Sequence, residues 1–342
     1  MVLAMTLKPC SLGKSGLKVS KVILGAMSYG DPAWQDWVLE EEEALPLLEH
    51  AYKVGINTWD TVCSLASLAS HIVFGLPDSC AIVQADVYSH GRSEEIIGKA
   101  LKQFKIPRDR IVILTKCYFG VTPDNRSANI GRVSTNDGEM VNRVGLSRKH
   151  IFDAVDASIA RLGTYIDVLQ IHRLDRNTPR EEIMKALNDV VESGKVRYIG
   201  ASSMAAWEFQ TLQNIADKRG WHKFISMQNY YNLIYREEEN EMIPYCHDTG
   251  VGLIPWSPVG RGVLTRPWGS RDTHREKTDN YLKNLIRSKE TEVDKMIVDR
   301  LEEVSKKMGK SMAQVATAWC LSKKDVMPII GLGKIDRMWV EV

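Results

Sequence analysis

Short apolar runs alternate with amphipathic helical patterns along most of the chain. Most of these runs are continuously apolar, which is typical of parallel strands buried on both faces. The predicted strands are 21–26, 55–60, 111–115, 167–171, 196–201, 224–228, 251–256 and 327–331. Eight such repeats favour a closed α/β barrel over an open doubly wound sheet. No G-x-G-x-x-G follows an early strand, which also counts against the open sheet.

Helices with recognisable ends separate the strands. They are predicted over 40–54, 94–104, 151–162, 204–219, 237–249 and 311–321, and one more lies between Thr178 and Gly194. Thr178-Pro179-Arg180-Glu181 has the form of a capping box that starts this helix, and Gly194 closes it. Residues 7–19, with two glycines, predict a hairpin before the first barrel strand. The predicted fold is therefore a single (β/α)8 TIM barrel domain over residues 1–342 with an N-terminal hairpin.

Two segments do not fit a regular barrel. Residues 62–84 (VCSLASLASHIVFGLPDSCAIVQ) form an apolar insertion after the second strand, without helical or strand period. Residues 332–342 leave almost no room for an eighth helix, so the last helix is expected to be truncated. Such a loss would expose the apolar outer face of the last strand.

Composition narrows the function classes. The 45 basic and 43 acidic residues nearly balance, so neither nucleic acid nor an anionic membrane is the expected partner. The six cysteines form no CxxC pair, which argues against a disulfide framework and a structural zinc site. We find no signal peptide, no bilayer-length apolar run and no metal motif. The sequence predicts a cytoplasmic, metal-free enzyme with a small-molecule substrate, and leaves its oligomeric state open.

Polar side chains end three consecutive predicted strands. They are Asp60, Lys116 and His172, and Tyr88 begins the next motif, DVYSHGRSEEIIGKAL. A tyrosine has a pKa of about 10 in water, which a neighbouring ammonium lowers. Taken singly, these residues also fit an ordinary ion pair, a half-buried histidine and a packed tyrosine. Their joint placement at the carboxyl ends of the strands favours a proton-transfer site.

Seven ordered segments resemble the aldo-keto reductase family. They are GINTWDT, DVYSHGRSEEIIGKAL, VILTK, IDVLQIHRLD, RYIGASS, MQNYYNLI and GLIPWSPVGRGVL. The resemblance is closest to its fungal aryl-alcohol dehydrogenase-like and versiconal hemiacetal acetate reductase-like members. It implies a catalytic tetrad of Asp60, Tyr88, Lys116 and His172, with Tyr88 as general acid. It also implies NADPH-dependent reduction of an aldehyde, ketone or hemiacetal, aromatic or polyketide-like, in secondary metabolism.

The resemblance also implies cofactor and substrate residues. Those expected at the nicotinamide are Ser202, Ser203, Gln228 and Trp256. Those expected at the pyrophosphate are Ser257, Val259, Gly260 and Gly262. Those expected at the 2′-phosphate of NADP(H) are Lys334 and Arg337. Those expected to line the substrate pocket are Met27, Tyr29, Trp34 and Trp37. Two alternatives stay open: Trp256 is a core tryptophan, and the basic pair is a solvated turn.

The insertion departs from the family spacing, in which tyrosine follows aspartate by five residues. Removing residues 62–84 leaves DTADVYSHGRSEE without a seam. The insertion starts with Val, whose codons begin GT, and ends with Gln, one of whose codons ends AG. We interpret it as a retained intron, with a genuine lid as the alternative. A second candidate function follows, namely a catalytically impaired NADP-binding paralogue or a non-functional gene-model product. A barrel with metal or phosphosugar chemistry lacks supporting motifs.

Overall fold

Eight parallel strands form the centre of the molecule. The computed structural model describes residues 9–61, 88–122 and 134–335, with all side chains except those of Tyr88, Tyr281 and Leu285. A short antiparallel hairpin, β1 (Cys10–Ser11) and β2 (Lys18–Val19), comes first. The barrel strands are β3 (Ile23–Gly25), β4 (Thr58–Asp60), β5 (Val112–Cys117), β6 (Ile166–Ile171), β7 (Val196–Ser202), β8 (Phe224–Gln228), β9 (Gly252–Leu253) and β10 (Ile329–Ile330). All eight predicted strands are confirmed.

The sheet closes on itself through its last strand. β10 pairs in parallel with β3, and the remaining strands follow in chain order from β3 to β9. Parallel bridges from Leu253 to Val326 and from Trp256 to Ile329 join the β9 side to the β10 side. The backbone N–H of Ile329 donates to the carbonyl of Pro255 at 2.9 Å across this seam. These contacts confirm the (β/α)8 barrel.

Helices surround the strands. They are α1 (Glu41–Lys53), α2 (Arg92–Gln103), α3 (Arg148–Leu162), α4 (Arg180–Glu192), α5 (Ala206–Arg219), α6 (Met242–Thr249), α7 (His274–Thr278), α8 (Asn280–Leu285), α9 (Glu292–Met308) and α10 (Met312–Leu321). The capping box at Thr178 is wrong. The Thr178 hydroxyl donates to Asp175 at 2.6 Å instead, and the helix begins after Pro179 without a side-chain cap. Helix α9 was not predicted from the sequence, although Thr291 and Asp294 form a capping box at its start.

Within the described part of the chain, the hydrophobic core lies in three clusters. The largest packs the outer faces of the strands against the helices. A second fills the barrel interior and includes Leu12 and Val19 of the hairpin, which covers the amino ends of the strands. A third holds α8, α9 and α10 against the segment after β9. Since the hairpin covers one end, the opposite end, where the strands finish, is open for a site.

Some predictions lie outside the described residues. They are the insertion 62–84, the basic residue Arg337 and residues 336–342 of the predicted truncated tail. None of the helices described is both long and apolar enough to cross a membrane.

Candidate active site

A cavity of about 1210 Å³ opens at the carboxyl ends of the barrel strands. Its wall is formed by residues that end or follow different strands, among them Met27, Asp60, His172, Gln228 and Trp256. This is the end at which barrels of this kind carry their chemistry, because eight independent loops converge there. The cavity therefore lies at the strand ends where the sequence predicts the site.

A buried ion pair lies at the floor of this cavity. The Lys116 ammonium donates to both oxygens of Asp60, at 2.7 and 2.9 Å, and both side chains are almost fully buried. Gln170 adds a third hydrogen bond to the Asp60 carboxylate at 2.8 Å. Burial of two charges is unfavourable unless they are well paired and bonded, and this pair is both. The arrangement fixes an ammonium group at a defined point beside the cavity.

His172 supplies a neutral ring to the same site. Burial, together with the positive charges of Arg173 and Lys116, holds the pKa of His172 well below its usual range. Its ring packs edge-on against Phe119 at 5.6 Å between centroids. Among the described residues, its Nδ1 atom is buried and has no hydrogen-bond partner. A buried ring atom without a partner fits a group that bonds when a ligand is present.

Tyr88 begins a tight turn that precedes α2. The turn, Tyr88–Gly91, has Ser89 and His90 in the left-handed region with φ of 43° and 47°. Gly91 follows with φ of 91° as the residue before the helix. The Tyr88 side chain lies outside the described part of the structure, so its predicted role stays a prediction.

Three residues predicted to hold a nicotinamide carboxamide come together at the ends of β7 and β8. The Ser202 hydroxyl donates to the Gln228 backbone carbonyl at 2.6 Å. The Gln228 amide donates to Gln170 at 3.0 Å, and its side chain lines the cavity. Ser203 lies next to Trp256, whose indole N–H points to the Ser203 hydroxyl at 3.4 Å. The three residues therefore share one corner, although the Ser202 hydroxyl already serves the protein itself.

Trp256 lies between the core and the cavity. One face of its ring stacks on Tyr230, with centroids 4.5 Å apart and the planes 28° from parallel. The residue also lines the cavity. Both sequence interpretations of Trp256 thus describe part of its position, because a ring stacked on one side presents a flat apolar surface on the other.

The predicted pyrophosphate loop has an unusual backbone. Ser257, Gly260 and Gly262 all have positive φ, of 53°, 56° and 102°. The N–H of Gly260 donates to Ser257 at 2.9 Å, and the N–H of Gly262 donates to Val259 at 3.0 Å. These two N–H groups therefore bond within the loop itself. Ser257, Val259 and Gly262 do line the cavity.

Arg261, in the same loop, is a site residue that the sequence did not single out. It lines the cavity, and its guanidinium donates to buried Asp279 at 2.6 and 3.1 Å. Arg275 donates to the same carboxylate at 3.0 Å. Burial alone would raise the pKa of Asp279, but the charges of Arg261 and Arg275 outweigh it and lower the pKa to about 2. The loop is therefore tied by charge to the segment 273–279.

The rim of the cavity carries an excess of positive charge. Arg261, Arg266, Arg275 and Lys334 all contribute to its wall. Lys334 is exposed just beyond β10, as the sequence predicts, and its partner in that prediction, Arg337, lies outside the described residues. Guanidinium and ammonium groups beside an aromatic ring fit a dinucleotide, whose phosphates need cations and whose ring needs a flat surface.

The four predicted substrate-side residues divide into two pairs. Met27 and Trp37 line the cavity. Trp34 is buried and packs edge-on against Trp37, with centroids 5.8 Å apart. Tyr29 is fully buried and donates to the backbone carbonyl of Leu332 at 3.0 Å. Neither Tyr29 nor Trp34 lines the cavity in the described part of the structure, so their place in a substrate pocket stays a prediction.

Comparisons with known proteins agree with this geometry. A profile described as the aldo/keto reductase family matches residues 21–339. Versiconal hemiacetal acetate reductase of Aspergillus parasiticus is 65% identical over 328 residues, which are 96% of this chain and 89% of the relative. A Schizosaccharomyces pombe protein, named provisionally as an aryl-alcohol dehydrogenase, is 53% identical over 335 residues, 96% of this chain and 88% of the relative. An aldo-keto reductase of Alternaria alternata is 46% identical over 336 residues, which are 96% of this chain and 84% of the relative.

Proposed function

This chain belongs to the aldo/keto reductase family, and on that premise we propose that it uses NADPH to reduce a bulky aldehyde, ketone or hemiacetal, with Tyr88 as the general acid. The observation that carries the proposal is the buried pair of Lys116 and Asp60 beside the cavity. A buried ammonium held by a carboxylate is the group that lowers the pKa of a neighbouring phenol.

Each residue of the tetrad has a separate task. Lys116 stabilises the tyrosinate that remains after the Tyr88 phenol has given its proton to the substrate oxygen. Asp60 holds Lys116 in place and balances its charge. His172 is neutral, so it can donate a hydrogen bond to the substrate carbonyl without competing for the proton. When bound, the reduced nicotinamide supplies the hydride for the carbonyl carbon.

The positive rim supports a preference for NADPH. We assign Arg261 and the loop 257–262 to the pyrophosphate end, and Lys334 with Arg337 to the 2′-phosphate. Gln228, Ser203 and Trp256 hold the nicotinamide end of the same cavity. Because a 2′-phosphate adds about two negative charges, exchanging Lys334 for a neutral residue should weaken NADPH binding more than NADH binding.

The substrate side is apolar and aromatic. Met27 and Trp37 form the described part of this wall, and such a wall favours a bulky, aromatic or polyketide-like carbonyl compound. The name of the Aspergillus parasiticus relative states that it acts on versiconal hemiacetal acetate. A hemiacetal acetate is therefore the first substrate class to examine.

A second candidate function rests on the insertion. Residues 62–84 stand between two members of the tetrad in the sequence, and a displaced Tyr88 would leave a protein that binds NADPH without turnover. We propose that the segment is a retained intron and that a chain without it is the active form.

The two candidates are separated by one experiment. NADPH oxidation is measured with a panel of aromatic aldehydes for the full chain, for a chain lacking 62–84, and for Tyr88→Phe in each. Tyr165→Phe is the matched control, because Tyr165 packs under Arg108 and Arg197, away from the cavity. Turnover that Tyr88→Phe abolishes and Tyr165→Phe preserves supports the reductase. NADPH binding without turnover in the full chain supports the impaired form, and turnover in Tyr88→Phe refutes the general acid.

A further inference from the structure

The turn that follows Tyr88 has a backbone that must be held in place. Ser89 and His90, both with side chains, adopt left-handed φ values, and Gly91 follows with a third. Left-handed conformations are unfavourable by about 1 kcal/mol or more for a residue with a Cβ. Such a run of three residues persists only where contacts with the surrounding structure impose it.

Two hydrogen bonds join the first turn of α2 to residues adjacent to the buried ion pair. The hydroxyl of Thr61, which follows Asp60 directly, donates to Ser93 at 2.9 Å. The hydroxyl of Thr115, which precedes Lys116 directly, donates to the carboxylate of Glu94 at 2.6 Å. Each charged member of the pair therefore has a chain neighbour that fixes the same helical turn.

Further contacts complete the attachment of Ser93 and Glu94. Both side chains are fully buried. Ser93 donates to the carbonyl of Ala26 at the end of β3, at 2.9 Å. The second oxygen of Glu94 accepts from the Arg161 guanidinium of α3, at 2.5 Å. The first turn of α2 is thus bonded to residues in or directly after β3, β4 and β5, and to the outer helix α3.

The Tyr88–Gly91 turn is held in place by the side chains of Ser89 and His90. The Ser89 hydroxyl accepts from the N–H of Asp31 at 2.8 Å. The His90 ring accepts from the N–H of Thr122 at 3.2 Å. A Cβ on Gly91 would lie 2.7 Å from the side chain of Arg161, which would have to shift, and the φ of +91° would strain any residue other than glycine. Each of these described contacts is made by a residue that follows Tyr88.

We propose that Ser93 and Glu94, held by Thr61, Thr115 and Arg161, are the positioning residues that align Tyr88 with the pair of Lys116 and Asp60. The inference rests on the proposed function, because it assigns a role to the surroundings of the proposed general acid. The contacts that carry it are made by residues that follow Tyr88 in the chain.

Thr115→Val tests the proposal, because it removes the hydroxyl that links Glu94 to the Lys116 strand and keeps the shape of the side chain. Thr115→Ser restores the hydroxyl and serves as the conservative rescue. Thr58→Val is the matched control. Thr58 is equally buried on the neighbouring strand, and its hydroxyl accepts from the N–H of Ser20 at the other end of the barrel.

Two readouts separate positioning from general stability. In NADPH oxidation, Thr115→Val should lower kcat by about 10- to 100-fold, as expected for a misplacement of about 1 Å, with an unchanged KM for NADPH. In a near-ultraviolet titration of the tyrosinate, with Tyr88→Phe subtracted, the Tyr88 phenol should titrate at higher pH in Thr115→Val than in the parent. Thr115→Ser and Thr58→Val should match the parent in both.

The outcomes distinguish this proposal from the proposed function. A parent-like kcat and a parent-like titration in folded Thr115→Val overturn the positioning role, whether or not the protein is a reductase. A shifted titration in a chain without turnover keeps the positioning role and removes the reductase. An equal loss in Thr58→Val also overturns it, because a general loss of barrel stability would then explain the effect.

Discussion

Asp279→Asn should destabilise the protein through the loss of one buried charge. The carboxylate is 1% exposed and accepts from Arg261 and Arg275. Its pKa is lowered to about 2 from 3.8, which corresponds to about 2–3 kcal/mol in favour of the ionised form at neutral pH. Asparagine keeps the shape and can still cap α8 at Leu282, so the loss is the charge. Because buried Arg261 would lose the carboxylate to which it donates, the cost is about 3 kcal/mol.

Urea unfolding followed by circular dichroism measures this loss. With a slope of about 3 kcal/mol per molar urea, the midpoint should fall by about 1 M. The sign of the pH dependence gives a second check. A lowered pKa contributes stability above the unfolded value, and that stability is lost as the pH falls from 3.8 towards about 2, so the parent should weaken there more than Asp279→Asn.

Asp299→Asn is the matched control, since Asp299 pairs with Lys295 on the exposed face of α9 and such pairs contribute little. NADPH should recover part of the stability of Asp279→Asn, because its phosphates would give Arg261 a new anionic partner. A midpoint for Asp279→Asn equal to that of Asp299→Asn refutes the reasoning.

Three further changes have defined outcomes. Burial raises the pKa of Glu238 to about 7, so the parent should lose up to about 3 kcal/mol of stability as the pH rises from 4.5 to about 7. Glu238→Gln should not show this loss, and equal urea midpoints for both proteins across this range would contradict the prediction. Gly30→Ala places a Cβ against the Ser89 hydroxyl and should lower both melting temperature and turnover; no loss in this variant would show that the contact can relax. Because the pKa of His172 is well below its usual range, the pH–rate profile should show no step near 6.5, and a step there that disappears in His172→Gln would contradict the neutral ring.

The sequence predicted the parts of the molecule that depend on local pattern. Continuous apolar runs identified every barrel strand, because strands buried on both faces allow few polar residues. Asp60, Lys116 and His172 were found for the same reason: a polar residue directly after such a run stands at the strand end. Helix α9 could also have been predicted locally, because Thr291 and Asp294 form a capping box at its start, but it was missed.

Other features depend on contacts between distant segments, which no local pattern records. Tyr29 and Trp37 are both aromatic residues of the loop after β3, yet only Trp37 faces the cavity, because the path of the loop decides which ring turns inward. Arg261 lies in the segment GLIPWSPVGRGVL, and Asp279 lies in a polar segment 18 residues further along the chain. Their burial follows from the way in which α7 and α8 fold back over the cavity, and the charge pair is visible only in three dimensions.

The closing strand also bears on how the molecule is made. β10 lies between β3 and β9, and its neighbour Leu332 accepts the Tyr29 hydroxyl across a sequence separation of 303 residues. During synthesis at about 5–20 residues per second, β3 waits on the order of a minute or less for its final neighbour. Until then the sheet has two open edges, which are sites of intermolecular pairing. A ribosome that stalls before this strand would therefore release a chain prone to aggregation.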